Sequence, residues 1–324
     1  MEMLKQTRIL LILTFVYLLT ITTVARAQSN DPLPSWQDTA NKKAIIAFVK
    51  SVSTEGSQDF VPDEYRIATF DQDGTILIEK PNPVQYEHIF RFFEEPKPDP
   101  KLAIVGRKPG EWVNIGNGSL LAYQYMTLPE YSENAIKFVK ENNHPTCSVP
   151  YFDLFYTPML ELIEYLQSKS FRVYIVSGSW QVFVRSVVKE KTGLRNSHLI
   201  GTQTGLTDFP ANTFPLRIAG TIVDINLLNL NMGKPKNIQM QIGEKPILAF
   251  GNSSSDIDML KYATSNSNKS LSLWLEHDDA KREYVYPSGI TGEKGWLQIS
   301  MKTDFAKVFN KVKGMTVSCG PLPK

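Results

Sequence analysis

A Rossmann-like, doubly wound α/β fold with a mainly parallel sheet and an inserted helical cap is what this sequence predicts, on three observations. Arg66 to Phe70, Phe171 to Val176 and Pro246 to Phe250 are short continuous apolar runs followed by loop or helix-start residues, the pattern of parallel strands covered on both faces. Segments of helical periodicity alternate with them, as right-handed βαβ crossovers require. Residues 82–150 form an interval far longer than a crossover needs, so they are expected to fold as a unit of their own.

The elements follow in chain order. Lys5 and Arg8, an uncharged apolar run from Ile9 to Val24, and Ala25-Arg26-Ala27 have the order of a secretory signal peptide with a small-x-small cleavage site. The run is short for a bilayer span and rich in threonine towards its end. Residues 1–27 are therefore expected to be removed and the protein to be exported, periplasmic or secreted; an uncleaved segment would be its one link to a membrane. Residues 28–62 hold a Pro-containing lead-in, Asp31 to Trp36, and a helix that Asp38 or Thr39 can cap, with Ala44, Ile45, Phe48, Val49 and Val52 at helical spacing.

The core domain is assigned to residues 63–81 and 151–324. Its helical segments are Pro158 to Lys169, Trp180 to Lys191 and Asp256 to Ala263, and a fourth strand runs from Ser270 to Leu275. The interval 82–150 carries helical patterns near Val84 to Phe93 and Glu130 to Glu141, and aromatics that include Tyr86, Phe90, Trp112, Tyr123, Tyr131 and Phe138. It reads as a helical cap above the strand ends, its aromatics more often a small core than a ligand-stacking surface.

Composition narrows the partners. A chain of 324 residues suits two domains or one with an insertion, and 42% hydrophobic residues can supply a sizeable core. The net charge of +2, with lysines scattered among acids, gives no electrostatic case for nucleic acid. Cys147 and Cys319 would meet an oxidising compartment if the chain is exported, but their separation gives no spacing signal, so a disulfide and two free thiols both stay open. Asn117, Asn252 and Asn268 head glycosylation triplets of a kind that chance supplies often.

Four features carry chemistry. The first is Phe70-Asp71-Gln72-Asp73-Gly74-Thr75, two carboxylates at the end of a strand, in the crevice where open α/β sheets bind ligands. Alone it reads equally as an Asp-Gly turn. The second is Ser177-Gly178-Ser179 after the second strand, a hydroxyl and backbone N–H groups suited to an anion at a helix N-terminus, or an ordinary N-cap. The third is Gly233-Lys234-Pro235, an ammonium at a helix start, where it serves the dipole poorly. The fourth is Gly251-Asn252-Ser253-Ser254-Ser255-Asp256, a loop of hard oxygen donors that suit magnesium.

In this order the four resemble the motifs of the haloacid dehalogenase-like hydrolase superfamily, over residues from about 60 to 300, with the insertion where that superfamily's first (C1) cap type sits. Leu33-Pro34-Ser35-Trp36, Glu79-Lys80-Pro81 and His277-Asp278-Asp279-Ala280-Lys281-Arg282-Glu283-Tyr284 further resemble an exported, phosphoserine-phosphatase-like group. The resemblance implies a Mg2+-dependent phosphomonoesterase acting on a small phosphorylated metabolite. Asp71 matches the nucleophile that forms an aspartyl-phosphate, and Asp73 the acid/base residue whose carbonyl also ligates Mg2+. Ser177 matches the hydroxyl that binds a phosphoryl oxygen, with Gly178 beside it as a substrate-binding position, and Lys234 matches the screening cation. Asn252 and Asp256 match the loop that completes a metal site with Asp71 and Asp73.

Departures from the pattern keep alternatives in view. Asn252 stands where most members carry Asp, Lys236 lies two residues from Lys234, and Trp180 is bulky where relatives are small. A catalytically weak phospho-ligand binding protein is one alternative. A phosphonate hydrolase, drawing an amine from Lys97, Lys101 or Lys108, is another, whereas Asp73 argues against a dehalogenase, which has no leaving-group oxygen to protonate. The four histidines show no metal-ligand spacing, and Ser177 lacks a Gly-x-Ser-x-Gly elbow.

Overall fold

The computed structural model describes residues 31–94 and 123–320, apart from 209, 213 and 223. The expected signal segment, residues 1–27, and Lys97, Lys101, Lys108, Trp112 and Asn117 lie outside the described residues. Residues 33–324 make one compact unit.

Its centre is a mainly parallel sheet that holds the four predicted strands. Strands β1 (Ile67–Phe70), β2 (Arg172–Trp180), β3 (Leu199–Thr202), β6 (Leu248–Gly251) and β7 (Leu271–Asp278) run parallel in the order β3-β2-β1-β6-β7. β9 (Leu297–Ser300) adds in parallel to β7, and β8 (Val285–Tyr286) pairs antiparallel with its last two residues. Every residue of β1 and β6 is buried, which is why they read as unbroken apolar runs rather than alternating ones. Phe70 stacks on Phe250 at 6.0 Å where the two central strands end.

Helix α1 (Ala40–Ser53) is capped by Thr39, whose hydroxyl accepts from the N–H of Lys42. The lead-in before it is anchored to the core: Trp36 Nε1 donates to the carbonyl of Pro158 and its ring meets Phe305 edge-on, while Ser35 donates to Glu161. Helices α4 (Thr157–Ser168), α5 (Gln181–Thr192), α6 (Gly233–Gln241) and α7 (Ile257–Thr264) supply the crossovers.

The interval 82–150 contributes α2 (Val84–Glu94) and α3 (Leu128–Glu141). Thr127 and Glu130 form a reciprocal capping box that starts α3, and α3 packs on α5. The aromatics form a core: His88 stacks on Tyr123 at 5.0 Å and meets Tyr131, Phe138 and Phe183. Burial there pushes the imidazole down to about 4, so it sits as a neutral ring, with Nε2 at 2.7 Å from Asn134 Oδ1.

Strands β3, β8 and β9 are absent from the sequence reading, and so is a hairpin. β4 (Thr204–Thr207) and β5 (Arg217–Ile222) form an antiparallel hairpin after β3. It joins the cap: Tyr125 N–H donates to Ile218 O, Ile218 N–H to Met126 O, and Arg217 Nη1 to Tyr125 O. The strands are short, and Pro210, Asn212 and Pro215 between them read as loop. The cap is thus built from two stretches of chain.

Cys147 and Cys319 are joined in a disulfide across 172 residues. By chain entropy alone a loop of that length is worth about 5 kcal/mol. His144 is a loop anchor beside it, with Nε2 donating to the carbonyl of Lys80 and Nδ1 accepting from the N–H groups of Thr146 and Cys147.

Candidate active site

β1 ends at Phe70, and the backbone N–H of Asp71 continues the ladder by donating to Phe250 O at 2.9 Å. The Asp71 carboxylate therefore projects from the C-terminal edge of the sheet next to β6. Beyond it the chain folds back, with the N–H groups of Thr75, Ile76 and Leu77 all donating to Gln72 O and Gly74 N–H to Leu77 O. Gly74 has φ +77°, and a Cβ there would lie 2.0 Å from Asn252 Nδ2; only glycine allows both the turn and the contact.

Lys234 reaches this point from the first turn of α6. Gly233 lets the helix start close to the preceding loop, since a Cβ there would fall 1.6 Å from Leu228 O. The Lys234 ammonium is 2.5 Å from Asp71 Oδ1 and 2.5 Å from Asp256 Oδ1, and all three side chains are buried. Lys236 points out to solvent, which resolves the choice between the two lysines. Burial opposes the charge on Lys234, but Asp256 and Asp71 outweigh it and hold the ammonium above its ordinary value. Burial and then the Asp256 carboxylate push Asp71 up, with Lys234 pulling it back in part.

Asp73 faces β2. Its Oδ2 accepts from Ser179 Oγ at 2.7 Å and from Ser177 Oγ at 3.4 Å, and Oδ1 accepts from Gln72 Nε2 at 3.0 Å. Burial raises its pKa, and the bonds from Gln72 and Ser179 offset that only in part.

Ser177 and Gly178 depart from expectation in one respect. β2 runs on to Trp180, with a register shift after Val176, so these residues lie within a strand end and not at a helix N-terminus. Nearby N–H groups are engaged inside the protein: Ser179 N–H donates to Ser177 Oγ and Trp180 N–H to Gln85 Oε1 of the cap. The Gly178 carbonyl accepts from Thr202 Oγ1. Trp180 is 5% exposed and belongs to the core.

The fourth feature also divides its labour. Asn252 Oδ1 accepts from Thr75 Oγ1 at 3.1 Å and Nδ2 donates to Glu79 Oε1 at 2.9 Å. Asp256, expected among the metal ligands, has both oxygens engaged: Oδ1 by Lys234, and Oδ2 by the N–H groups of Asn252 and Ser253 and the Ser253 hydroxyl. It holds the lysine and the loop. Asn252 is buried at 1%, so its glycosylation triplet is inaccessible.

Ser179, Glu79, His277 and Glu283 are participants to which the sequence reading gave no role. His277 is buried at the end of β7, with Nε2 at 2.8 Å from Gly74 O and Nδ1 at 2.9 Å from Glu283 Oε2; Glu283 Oε1 accepts from Tyr156. Its ring stacks on Tyr286 at 4.2 Å. In the sequence His277 stands out only within the His277 to Tyr284 segment that carries the family resemblance.

Lys234 is one cation facing Asp71, Asp73 and Asp256, and a buried excess of carboxylate calls for another cation or a proton. Among the described residues no three His, Cys, Asp or Glu side chains form a ready ligand cluster. The donors at hand are a carboxylate, backbone carbonyls and an amide oxygen, all hard, and they fit a magnesium ion that keeps several waters.

The sequence model for haloacid dehalogenase-like hydrolases matches residues 68–261, more than half of the chain. The chain belongs to the haloacid dehalogenase-like hydrolases. No curated protein matches it. A functionally unknown protein from Anaerococcus prevotii superimposes with a TM-score of 0.52 at 14% identity, over 74% of this chain and 86% of that one. A HAD family hydrolase from Salmonella enterica serovar Typhi gives 0.39 at 13% identity over 72% of each chain. A phosphoserine phosphohydrolase-like protein from Francisella tularensis gives 0.34 at 16%, over 64% of this chain and 87% of that one. The first likeness bears on the fold, and the other two are too remote to carry an argument.

Proposed function

We propose that this haloacid dehalogenase-like hydrolase is a Mg2+-dependent phosphomonoesterase that acts outside the cytoplasm on a small phosphorylated metabolite through an aspartyl-phosphate. The observation that carries the reading is the buried Asp71–Lys234–Asp256 chain of contacts beside an Asp73 held by two serines. It offers a nucleophile, a counter-charge and a separate proton donor within one strand-end crevice.

Lys234 binds Asp71 Oδ1, so Oδ2 is the attacking oxygen in this reading. It forms a bond to phosphorus while the bond from phosphorus to the substrate oxygen breaks, and Asp73 gives its proton to that oxygen. Asp73, now a carboxylate, takes a proton from water. The resulting hydroxide attacks phosphorus, breaks the Asp71 acyl-phosphate bond and releases inorganic phosphate. Ser177 and Lys234 hold phosphoryl oxygens through both displacements, in place before charge moves. Asp71, the Asp73 carbonyl and Asn252 would hold Mg2+, which supplies further neutralisation of the phosphoryl charge. The raised pKa of Asp73 suits a group that must begin protonated.

Export is supported by the signal-like N-terminus and by the Cys147–Cys319 disulfide, which suits an oxidising compartment. The substrate is set by the cap and is left at the level of a small phosphomonoester. Phosphate release should be measured over sugar, amino-acid, choline and nucleotide phosphates, with Mg2+ and with chelator. Turnover of at least one class is expected, lost on chelation and in Asp71→Asn by at least about 10³-fold. Release from none, or release that survives Asp71→Asn, overturns the reading.

A further inference from the structure

Asn252 stands where the family resemblance implies a carboxylate, in the loop proposed to meet the cation, and a neighbouring carboxylate is bonded to it. Glu79 Oε1 accepts from Asn252 Nδ2 at 2.9 Å. With its NH2 group on Glu79, the amide turns Oδ1 the other way, where it accepts from Thr75 Oγ1 at 3.1 Å. Gly74 is fitted to the same contact: a Cβ there would stand 2.0 Å from Asn252 Nδ2 and 2.7 Å from Glu79 Oε1. The competing account, an ion pair with Lys80, is weaker, because Lys80 Nζ lies 3.9 Å away and sits over the Tyr286 ring at 4.5 Å. Glu79 itself is 15% exposed and on the same loop as Asp71.

We propose that Glu79 is the displaced carboxylate of the cation site. It fixes the Asn252 amide with its oxygen presented to Mg2+, and supplies from one hydrogen bond further out the negative charge that an aspartate at 252 would carry. This rests on the magnesium reading above. A carboxylate bonded to the NH2 end of an amide draws electron density towards the oxygen and so makes it a better ligand. The pair also explains why 252 is not Asp: two carboxylates at 2.9 Å would repel. Glu79 is thus a positioning residue, and outer partners of this kind are typically worth about 10- to 100-fold in metal affinity.

The test is calorimetric titration of the protein with Mg2+ alone, without substrate, with far-UV circular dichroism to confirm folding. Glu79→Gln should bind Mg2+ about 10- to 100-fold more weakly than wild type. The double variant Glu79→Gln/Asn252→Asp should recover affinity, because the charge has been returned to position 252. Glu79→Ala is the second variant if Glu79→Gln does not fold, with the same expected loss. Unchanged Mg2+ affinity on removing Glu79, or a double variant as weak as the single one, overturns the proposal while leaving the magnesium site standing. A wild-type protein that takes up no Mg2+ removes the magnesium reading, and this proposal with it.

Discussion

Asp71 and Asp73 are two residues apart, yet they face different partners, and in the proposed mechanism that difference separates their roles. Asp71 is bound to the Lys234 ammonium, which pulls its pKa part of the way back from the rise that burial and Asp256 impose. Asp73 is bound by hydroxyl and amide donors, which stabilise its anion less than burial destabilises it. The sign of one further effect follows. Ser179 Oγ donates to Asp73 and lowers its pKa, so Ser179→Ala should raise it and move the alkaline limb of the pH–rate profile to higher pH, where the general acid is still protonated. An unmoved limb would show that Asp73 is not the titrating acid. The carboxylate pair was visible in the sequence, but Ser179 was not distinguishable from Ser177, because which hydroxyl meets Asp73 depends on how far β2 runs before α5 begins.

At the scale of elements, strands β1, β2, β6 and β7 and the helices between them were legible to within a few residues, since full burial leaves unbroken apolar runs and amphipathic helices leave a clear period, whereas β3, β8 and β9 were not read as strands. The hairpin β4–β5 was not legible, because two short strands separated by prolines carry little periodicity. β7 was also underestimated: it continues past Leu275 through half-buried Glu276 and buried His277, whose burial depends on partners from distant loops. That extension brings His277 to Gly74 O and ties the catalytic loop to the sheet. Replacing His277 with Ala should leave Glu283 and the Gly74 carbonyl short of a partner in the interior and cost about 2–4 kcal/mol in denaturant unfolding. A loss below about 0.5 kcal/mol, the range of ordinary surface substitutions, would contradict this tie.

Taken whole, the molecule gathers its site from segments far apart in the chain. Asp71 and Lys234 are separated by 163 residues and meet at 2.5 Å; the parallel sheet makes this possible by ending its strands on one edge. That convergence was readable because each motif follows a predicted strand or opens a predicted helix. What was not readable is the network outside the motifs, the Glu79–Asn252 bond, the His277–Glu283 pair and the composite cap, since each depends on the distance between loops. The central claim is that Asp71 takes the phosphoryl group. It is tested most directly by acid-quenching the protein during turnover of a radiolabelled phosphomonoester and mapping the label. The account predicts label on the peptide carrying Asp71, absent from Asp71→Asn and released by hydroxylamine. Turnover with no protein-bound label under single-turnover conditions, or label on another residue, would contradict it.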